Sequence, residues 1–261
     1  MREDGLRLAI EAAGGVGALA RGLGIRQPSV SIWHRVPAER VLAVESLTGV
    51  RRETLRPDLY NEARAGLRRM TGSDEIERAR ASEYLLLAHL LRNAPDEALL
   101  ESIGRLSGDG SPLGMAHIAM AEAATKAEAS DVAAEYFALF IGIGRGELLP
   151  YASYYLTGFL HERPLARLRG DLARMGIERS EGNFDPEDHL GILFEVMAGL
   201  ANGTFGDELD RQRDFFSRHI ETWAHRFFDD LAGAKSARFY RTVADVGRAF
   251  MIVESEAFSL E

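Results

Sequence analysis

Phe215-Phe216-Ser217-Arg218-His219-Ile220-Glu221-Thr222-Trp223-Ala224-His225-Arg226-Phe227 carries its large apolar side chains at Phe216, Ile220, Trp223 and Phe227. Steps of four, three and four return to one side of a helix, so the spacing predicts a single buried stripe. The same steps recur at Phe239, Val243, Val246, Phe250 and Val253, and again at Leu190, Leu193, Met197 and Leu200. β-Branched residues never alternate with polar ones for more than a few positions, so the signal for strands is missing. The expected fold is all-α.

Around these stripes the chain has the composition of a folded protein, 46% hydrophobic and 27% charged over 261 residues, close to globular averages. At roughly 100 to 200 residues per domain, that length fits a small domain joined to a larger one. There is no cysteine, which excludes disulfides, thiolate metal sites and a cysteine nucleophile. Met1-Arg2-Glu3-Asp4-Gly5 carries acid early, and the N-terminus lacks the roughly 7 to 15 residue apolar stretch of a signal peptide. The densest apolar run, from Tyr136 to Ile143, is far shorter than the roughly 18 residues a bilayer span needs. A cytoplasmic protein without membrane insertion is expected.

Charge divides the chain. Residues 1–70 hold twelve arginines against eight acids, net +4, leaving 19 basic and 32 acidic side chains, net −13, for residues 71–261. Phosphate attracts the first part and is repelled by the second. The arginine-rich stretch 61–73 reads as a short helix and a linker, which puts the domain boundary near residue 70.

In the first part, glycines punctuate short helical segments at 6–13, 16–22 and 27–34, and Pro37 opens a fourth that Gly49 closes. Ala18-Leu19-Ala20-Arg21-Gly22-Leu23-Gly24-Ile25-Arg26-Gln27-Pro28-Ser29-Val30-Ser31-Ile32-Trp33 has the helix-turn-helix pattern. Small Ala20 lets two helices cross closely, Gly24 makes the turn, and Ile25, Val30 and Trp33 fill the space between. With Val36-Pro37-Ala38-Glu39-Arg40-Val41 and Leu55-Arg56-Pro57-Asp58-Leu59-Tyr60, it resembles the Cro-like, YdaS-type helix-turn-helix family over residues 4–60. The resemblance implies duplex DNA as a partner of residues 1–70. Gln27, Ser29 and Ser31 would face bases or phosphates, with Arg26 and Arg35 on the backbone. Side-chain chemistry agrees, since glutamine pairs with adenine edges and arginine anchors phosphate. A protein-interaction module with a solvated polar face is the alternative.

Four features of the larger part bear on its chemistry. Gly142-Ile143-Gly144-Arg145-Gly146 lacks the spacing of a phosphate cradle and follows no strand, so it reads as an interhelical loop. His219 and His225 are six residues apart and point to different sides of a helix, and no metal site emerges from the seven histidines. Pro150 reads as the start of a helix that lines up Tyr151, Tyr155 and Phe159, with Tyr154 beside them. Core packing and the lip of a groove both fit these hydroxyl-bearing rings. In Phe184-Asp185-Pro186-Glu187-Asp188-His189-Leu190-Gly191, Asp185 reads as an N-cap, Pro186 as the first helical residue and Asp188 as the capping-box acid. Capping leaves His189 and Glu195 unexplained, and an acidic patch facing an arginine pair is the other reading.

Tyr136-Phe137-Ala138-Leu139-Phe140, Leu149-Pro150-Tyr151-Ala152-Ser153-Tyr154-Tyr155, Pro186-Glu187-Asp188-His189-Leu190-Gly191 and Phe215 to Ile220 with Trp223 resemble, in order and spacing, the TorD family of redox-enzyme maturation chaperones, which includes the DmsD and NarJ types. The resemblance spans about residues 75–258. It implies an all-helical, non-enzymatic chaperone that binds the twin-arginine signal peptide and apo-form of a molybdoenzyme, of formate dehydrogenase or dimethyl-sulfoxide reductase type, during cofactor insertion. It maps client contact to Tyr151, Tyr154, Tyr155, Asp188 and His189, with Glu195 nearby, and implies no bound cofactor. The expected protein is thus a DNA-binding domain at 1–70 and a TorD-like chaperone domain at 71–261, with a homodimer allowed. The opposed class is a transcriptional regulator whose TorD-like domain acts as a sensor.

Overall fold

The computed structural model describes residues 4–31, 33–37, 40–56, 72–179, 185–206 and 208–259. Among these the regular structure is helical, and the one pairing of extended residues is an isolated bridge between Tyr151 and His189. The chain divides into two compact units, Met1–Asp74 and Glu75–Glu261. The linker stretch from 57 to 71, and Ile32, Ala38, Glu39 and Phe184, lie outside the described residues.

The small unit consists of α1 (Asp4–Ala12), α2 (Val16–Gly22), α3 (Gln27–Ser31), α4 (Val41–Thr48) and α5 (Arg52–Leu55). Leu6, Leu19, Ala20, Val30, Val36, Val44 and Leu55 form its core, with Ile25 and Trp33 half-buried against it. Gly24 has φ of +66°, a left-handed conformation that glycine adopts without a Cβ penalty, and it makes the turn between α2 and α3. One boundary differs from expectation. α3 stops at Ser31 instead of reaching His34, because Val36 is drawn into the core and its carbonyl accepts from Arg56 Nη1 at 2.9 Å. α4 is regular from Val41, and the Pro37 carbonyl ahead of it accepts from Arg40 N at 2.9 Å.

The larger unit contains α6 (Gly72–Arg92), α7 (Glu97–Ile103), α8 (Pro112–Ala124), α9 (Ala129–Tyr136), α10 (Ala152–Thr157), α11 (Arg163–Arg174), α12 (Leu190–Ala201), α13 (Leu209–Phe216), α14 (Ala224–Gly233) and α15 (Phe239–Ser259). Wider π-turns extend α9 over Phe137–Ile141 and α13 over Ser217–Glu221. α12 runs through the middle, buried at every position except Glu195. Leu190, Leu193, Met197 and Leu200 are buried as their spacing requires, but so are the other residues between them, so Glu195 is the one position of this helix open to solvent. Phe216, Ile220, Trp223 and Phe227 are each fully buried, and burying such side chains stabilises by about 1.5–3 kcal/mol apiece.

The stripe on α15 holds from Phe239 to Phe250 and then changes. Val253 is 43% exposed, and the inward position belongs to Glu254, which is fully buried. Its carboxylate accepts from Arg80 Nε at 2.8 Å, Arg80 Nη2 at 2.7 Å and Tyr84 Oη at 2.6 Å. A buried charge survives only with such partners. At the other end of α15, buried Glu135 accepts from the backbone N–H groups of Arg238, Phe239 and Tyr240 at 2.7, 3.1 and 2.7 Å. A carboxylate from α9 thereby caps a helix a hundred residues on.

Candidate functional site

The residues around Asp188 do not begin a helix. α12 starts at Leu190, and its N-cap is His189, whose Nδ1 accepts from Gly191 N at 3.0 Å. The expected capping box of Asp185, Pro186 and Asp188 is therefore absent. A turn closed by His189 N on the Pro186 carbonyl at 3.1 Å instead leads into a bridge between His189 and Tyr151, in which Ala152 N donates to the Asp188 carbonyl at 2.9 Å and Leu190 N to the Pro150 carbonyl at 2.8 Å. Asp188 is a cap, but of another helix. Its Oδ2 accepts from Ser153 N, in the first turn of α10, at 2.8 Å. At 1% exposure its carboxylate is not a surface patch.

The same pairing corrects the tyrosine face. Pro150 and Tyr151 precede α10, with Tyr151 extended at the N-cap, while Phe159 follows the left-handed Gly158 that ends the helix. Tyr151 sets its ring edge-on to His189 at 5.1 Å between centroids. Burial, helped by the charges of Asp185 and Asp188, pushes the Tyr151 hydroxyl up to about 12. Tyr155 stacks on Trp223 at 5.3 Å and donates its hydroxyl to Asp230 Oδ2 at 2.8 Å. Tyr154 lies under the guanidinium of Arg145, 5.3 Å from its ring centroid, and its hydroxyl accepts from Arg145 Nη2 at 3.0 Å. The rings are half-buried, with polar partners for two hydroxyls. Beyond them Leu156, Leu160 and above all Phe159, 70% exposed, leave apolar surface in water.

His189 is 5% exposed. Burial, then the charge of Arg92, lowers its pKa to about 3, so the ring is neutral at pH 7. With Nδ1 accepting from Gly191, Nε2 carries the proton and is a donor. A Cβ on Gly191 would lie 2.5 Å from Arg92 Cγ and 3.0 Å from the Ala88 carbonyl, so only glycine lets α6 cross here. This crossing brings Arg92 Nη1 to Glu195 Oε1 at 2.6 Å. Glu187 is held by Arg169 at 2.8 Å. Burial raises the Glu187 pKa, but the Arg169 hydrogen bond and the charges of Arg169 and Arg179 outweigh it and leave it below the ordinary value.

Tyr151, Asp188 and His189 are thus brought together, Tyr154 and Tyr155 stand along α10, and Glu195 lies one helical turn into α12. The expectation did not contain Ser153 or Arg92. Both act through contacts 35 and 103 residues apart in the chain, for which the sequence carries no local signal.

In the small unit Arg26, Gln27, Ser29, Ser31 and Arg35 are all exposed. Ser31 Oγ donates to the Gln27 carbonyl at 3.0 Å, which ties that hydroxyl to its own helix. Among the described residues no group of histidines and acids could hold a metal, and no helix is long and apolar enough to cross a membrane. His219 instead bonds Asp171 at 2.7 Å.

Residues 108–229 match the family model of the nitrate reductase delta subunit, and residues 6–64 match that of the bacterial toxin YdaS. The chaperone protein TorD of Vibrio cholerae serotype O1 is 30% identical over 130 residues, covering 46% of this chain and 59% of that protein. That of Shewanella loihica is 25% identical over 202 residues, 69% of this chain and 92% of its own. A solved structure from Archaeoglobus fulgidus, described as a redox enzyme maturation protein, covers 66% of this chain at 20% identity with a TM-score of 0.45.

Proposed function

We propose that this chain, which joins a YdaS-type helix-turn-helix unit to a TorD-like unit, is a maturation chaperone for a molybdenum oxidoreductase, with no reaction of its own. The likeness to the TorD chaperones supports it, and the observation that carries it furthest is the clamped pair of segments at 150–155 and 186–190, which lies inside the matched residues. The ligand in this reading is the twin-arginine signal peptide of an apo-enzyme of formate dehydrogenase or dimethyl-sulfoxide reductase type. Its apolar stretch covers Leu156, Phe159 and Leu160 beside Tyr151, Tyr154 and Tyr155. His189 offers Nε2–H to a peptide carbonyl. Glu195, the open position of α12, receives a guanidinium in exchange for Arg92. Asp188 acts at one remove, holding the start of α10 through Ser153.

Titration calorimetry on the full chain tests this. A twin-arginine peptide should bind, and Glu195→Gln should weaken it about tenfold, as loss of a partly exposed charge-assisted hydrogen bond does. Equal affinity for a twin-lysine peptide, together with no effect of Glu195→Gln, would remove the reading.

Duplex DNA is the proposed partner of residues 1–70, supported by the YdaS match and the exposed α3. A regulator with a TorD-like sensor is the second reading, favoured by the same helix. Deletion of the gene separates them: altered transcripts with normal molybdoenzyme maturation support the regulator.

A further inference from the structure

The glycine loop at 142–146 follows the π-turn Phe137–Ile141 at the end of α9 and has no part in the chaperone reading. Its glycines are required by the fold. Gly142 and Gly144 have φ of +62° and +88°, a region that penalises any Cβ. A Cβ on Gly142 would overlap the Arg145 carbonyl, and one on Gly146 the backbone of Phe140. The loop therefore folds closely back on the helix end. Its base is fixed by Glu147 N on the Ala138 carbonyl at 3.1 Å and Leu148 N on the Leu139 carbonyl at 2.8 Å. What this tight loop carries to α10 is the side chain of Arg145.

Arg145 is exposed and makes no ion pair among the described residues. Glu147, two residues on, accepts instead from Lys235 N at 2.6 Å and Ser236 N at 3.2 Å. The guanidinium lies over the Tyr154 ring and gives one of its five N–H groups to Tyr154 Oη. Stacking and that bond together hold the plane of the fork, while its other N–H groups stay open to water. Tyr154 Oη accepts, and so keeps its own proton to donate. No acceptor takes that proton among the described residues. The next tyrosine is used in the opposite sense: Tyr155 donates to Asp230, and Arg226 of α14 donates to the Tyr155 carbonyl at 3.1 Å. Two unfilled donors, a guanidinium and a phenol, thus stand side by side on the helix that exposes Leu156.

Donors without an acceptor select the ligand. A cation is repelled by Arg145. Phosphate sites gather several backbone N–H groups or cations, and here there is one guanidinium. A carboxylate has an oxygen for each donor. One exposed ion pair changes affinity by about fivefold at most, too little to hold a free carboxylate, so the group must belong to a chain that already lies on the apolar surface of Leu156, Phe159 and Leu160. We infer that Arg145 and Tyr154 receive an aspartate or glutamate side chain of the client, beside its apolar stretch, and select among client segments by the charge at that position. This rests on the chaperone reading and adds to it a specificity-determining residue, Arg145.

The test uses the full chain and three labelled peptides, each an apolar stretch of leucine and alanine ended by glutamate, glutamine or lysine, followed by fluorescence anisotropy at low salt. The glutamate peptide should bind about fivefold tighter than the glutamine peptide, with the lysine peptide weakest. Arg145→Lys keeps the charge but loses the fork and the stacking, and should lose most of the preference. Tyr154→Phe keeps the ring under Arg145 and removes the second donor, so the preference should shrink. Arg145→Glu should reverse the order of the glutamate and lysine peptides, which a merely structural role would not do. Equal binding of the glutamate and glutamine peptides, an unchanged order in Arg145→Glu, or no binding of any of the three would overturn the inference. The chaperone reading is decided separately, by the titration of twin-arginine against twin-lysine peptide.

Discussion

The two units hold their candidate residues in different ways. In the small unit they come from one consecutive segment, 26–35, and all five stand in solvent on or beside α3. In the larger unit they come from three segments, 150–155, 185–190 and 195, fastened by backbone pairing, by the Asp188 carboxylate and by Arg92 from α6. Buried polar residues follow the same division: Arg56 in the small unit, against Glu135, Ser153, Asp188, His189, Gln212, His219 and Glu254 in the larger. A surface helix can change its contacts without changing its fold, whereas a site assembled from distant segments couples recognition to stability. Substitution separates the two cases.

The largest effect should come from Glu135→Ala. Three backbone donors at the start of α15 would lose a charged acceptor, and with charge-assisted bonds contributing about 1.5–3 kcal/mol each, non-additively, a loss of at least about 3 kcal/mol is expected in denaturant unfolding. Next comes Asp188→Ala, which strands Ser153 N and should destabilise by about 1–3 kcal/mol. Asp188→Asn keeps that acceptor and should cost less. If alanine and asparagine destabilise equally, the bond to Ser153 does not hold α10 in place.

The helical stripes were legible because they depend only on period, and Phe216, Ile220, Trp223 and Phe227 are buried as read. Ala20 and Gly24 were legible for the same reason, since crossing and turning are decided within a few residues. The sequence marks Asp188 as a cap, which is its chemistry, but its neighbours point to α12 and the helix it caps is α10. Its own neighbours satisfy every local rule for starting α12, and what overrides them is pairing with 150–152. Val253 misled in the same way. Period placed it inward, but the buried charge of Glu254, met by Arg80 and Tyr84, decides the last turns of α15. Local rules predict elements, and long-range polar contacts decide which residue faces where.

Acid should expose the same asymmetry. His189 and His219 fold with pKa values of about 3 and about 4, below the unfolded value near 6.5. Between those limits the unfolded chain binds more protons, so their contribution is complete above about 6.5 and is lost as pH falls through about 4 for His219 and about 3 for His189. His117 has the opposite sign. Its hydrogen bond to Glu83 raises its pKa, so its contribution is present below the unfolded value and fades as pH rises through the raised one. His189→Asn preserves an acceptor for Gly191 N and removes one titration, and should flatten the stability profile below pH 6 by up to about 1.4 kcal/mol per pH unit. An unchanged slope would mean that His189 is protonated in the folded protein.

The smallest stability effects belong to the small unit. Gln27, Ser29 and Arg35 are exposed, so alanine at each should shift the unfolding midpoint of the full chain by no more than about 0.5 kcal/mol. If α3 reads DNA, these substitutions should nonetheless separate in gel shifts over a salt series. Arg35→Ala should weaken binding to all sequences alike and reduce the salt slope by about 1, while Gln27→Ala should relax preference at one base position. Ser31→Ala should do less than Ser29→Ala, because the Ser31 hydroxyl is already committed to the Gln27 carbonyl. A Gln27→Ala variant that loses affinity and stability together would place Gln27 among the residues that hold α3 against α2. The small unit would then resemble the larger one, with recognition inseparable from folding. If binding is weak at every salt concentration and none of the three alanines alters it, the exposed face of α3 is a protein-facing surface, and a partner protein is the ligand to seek.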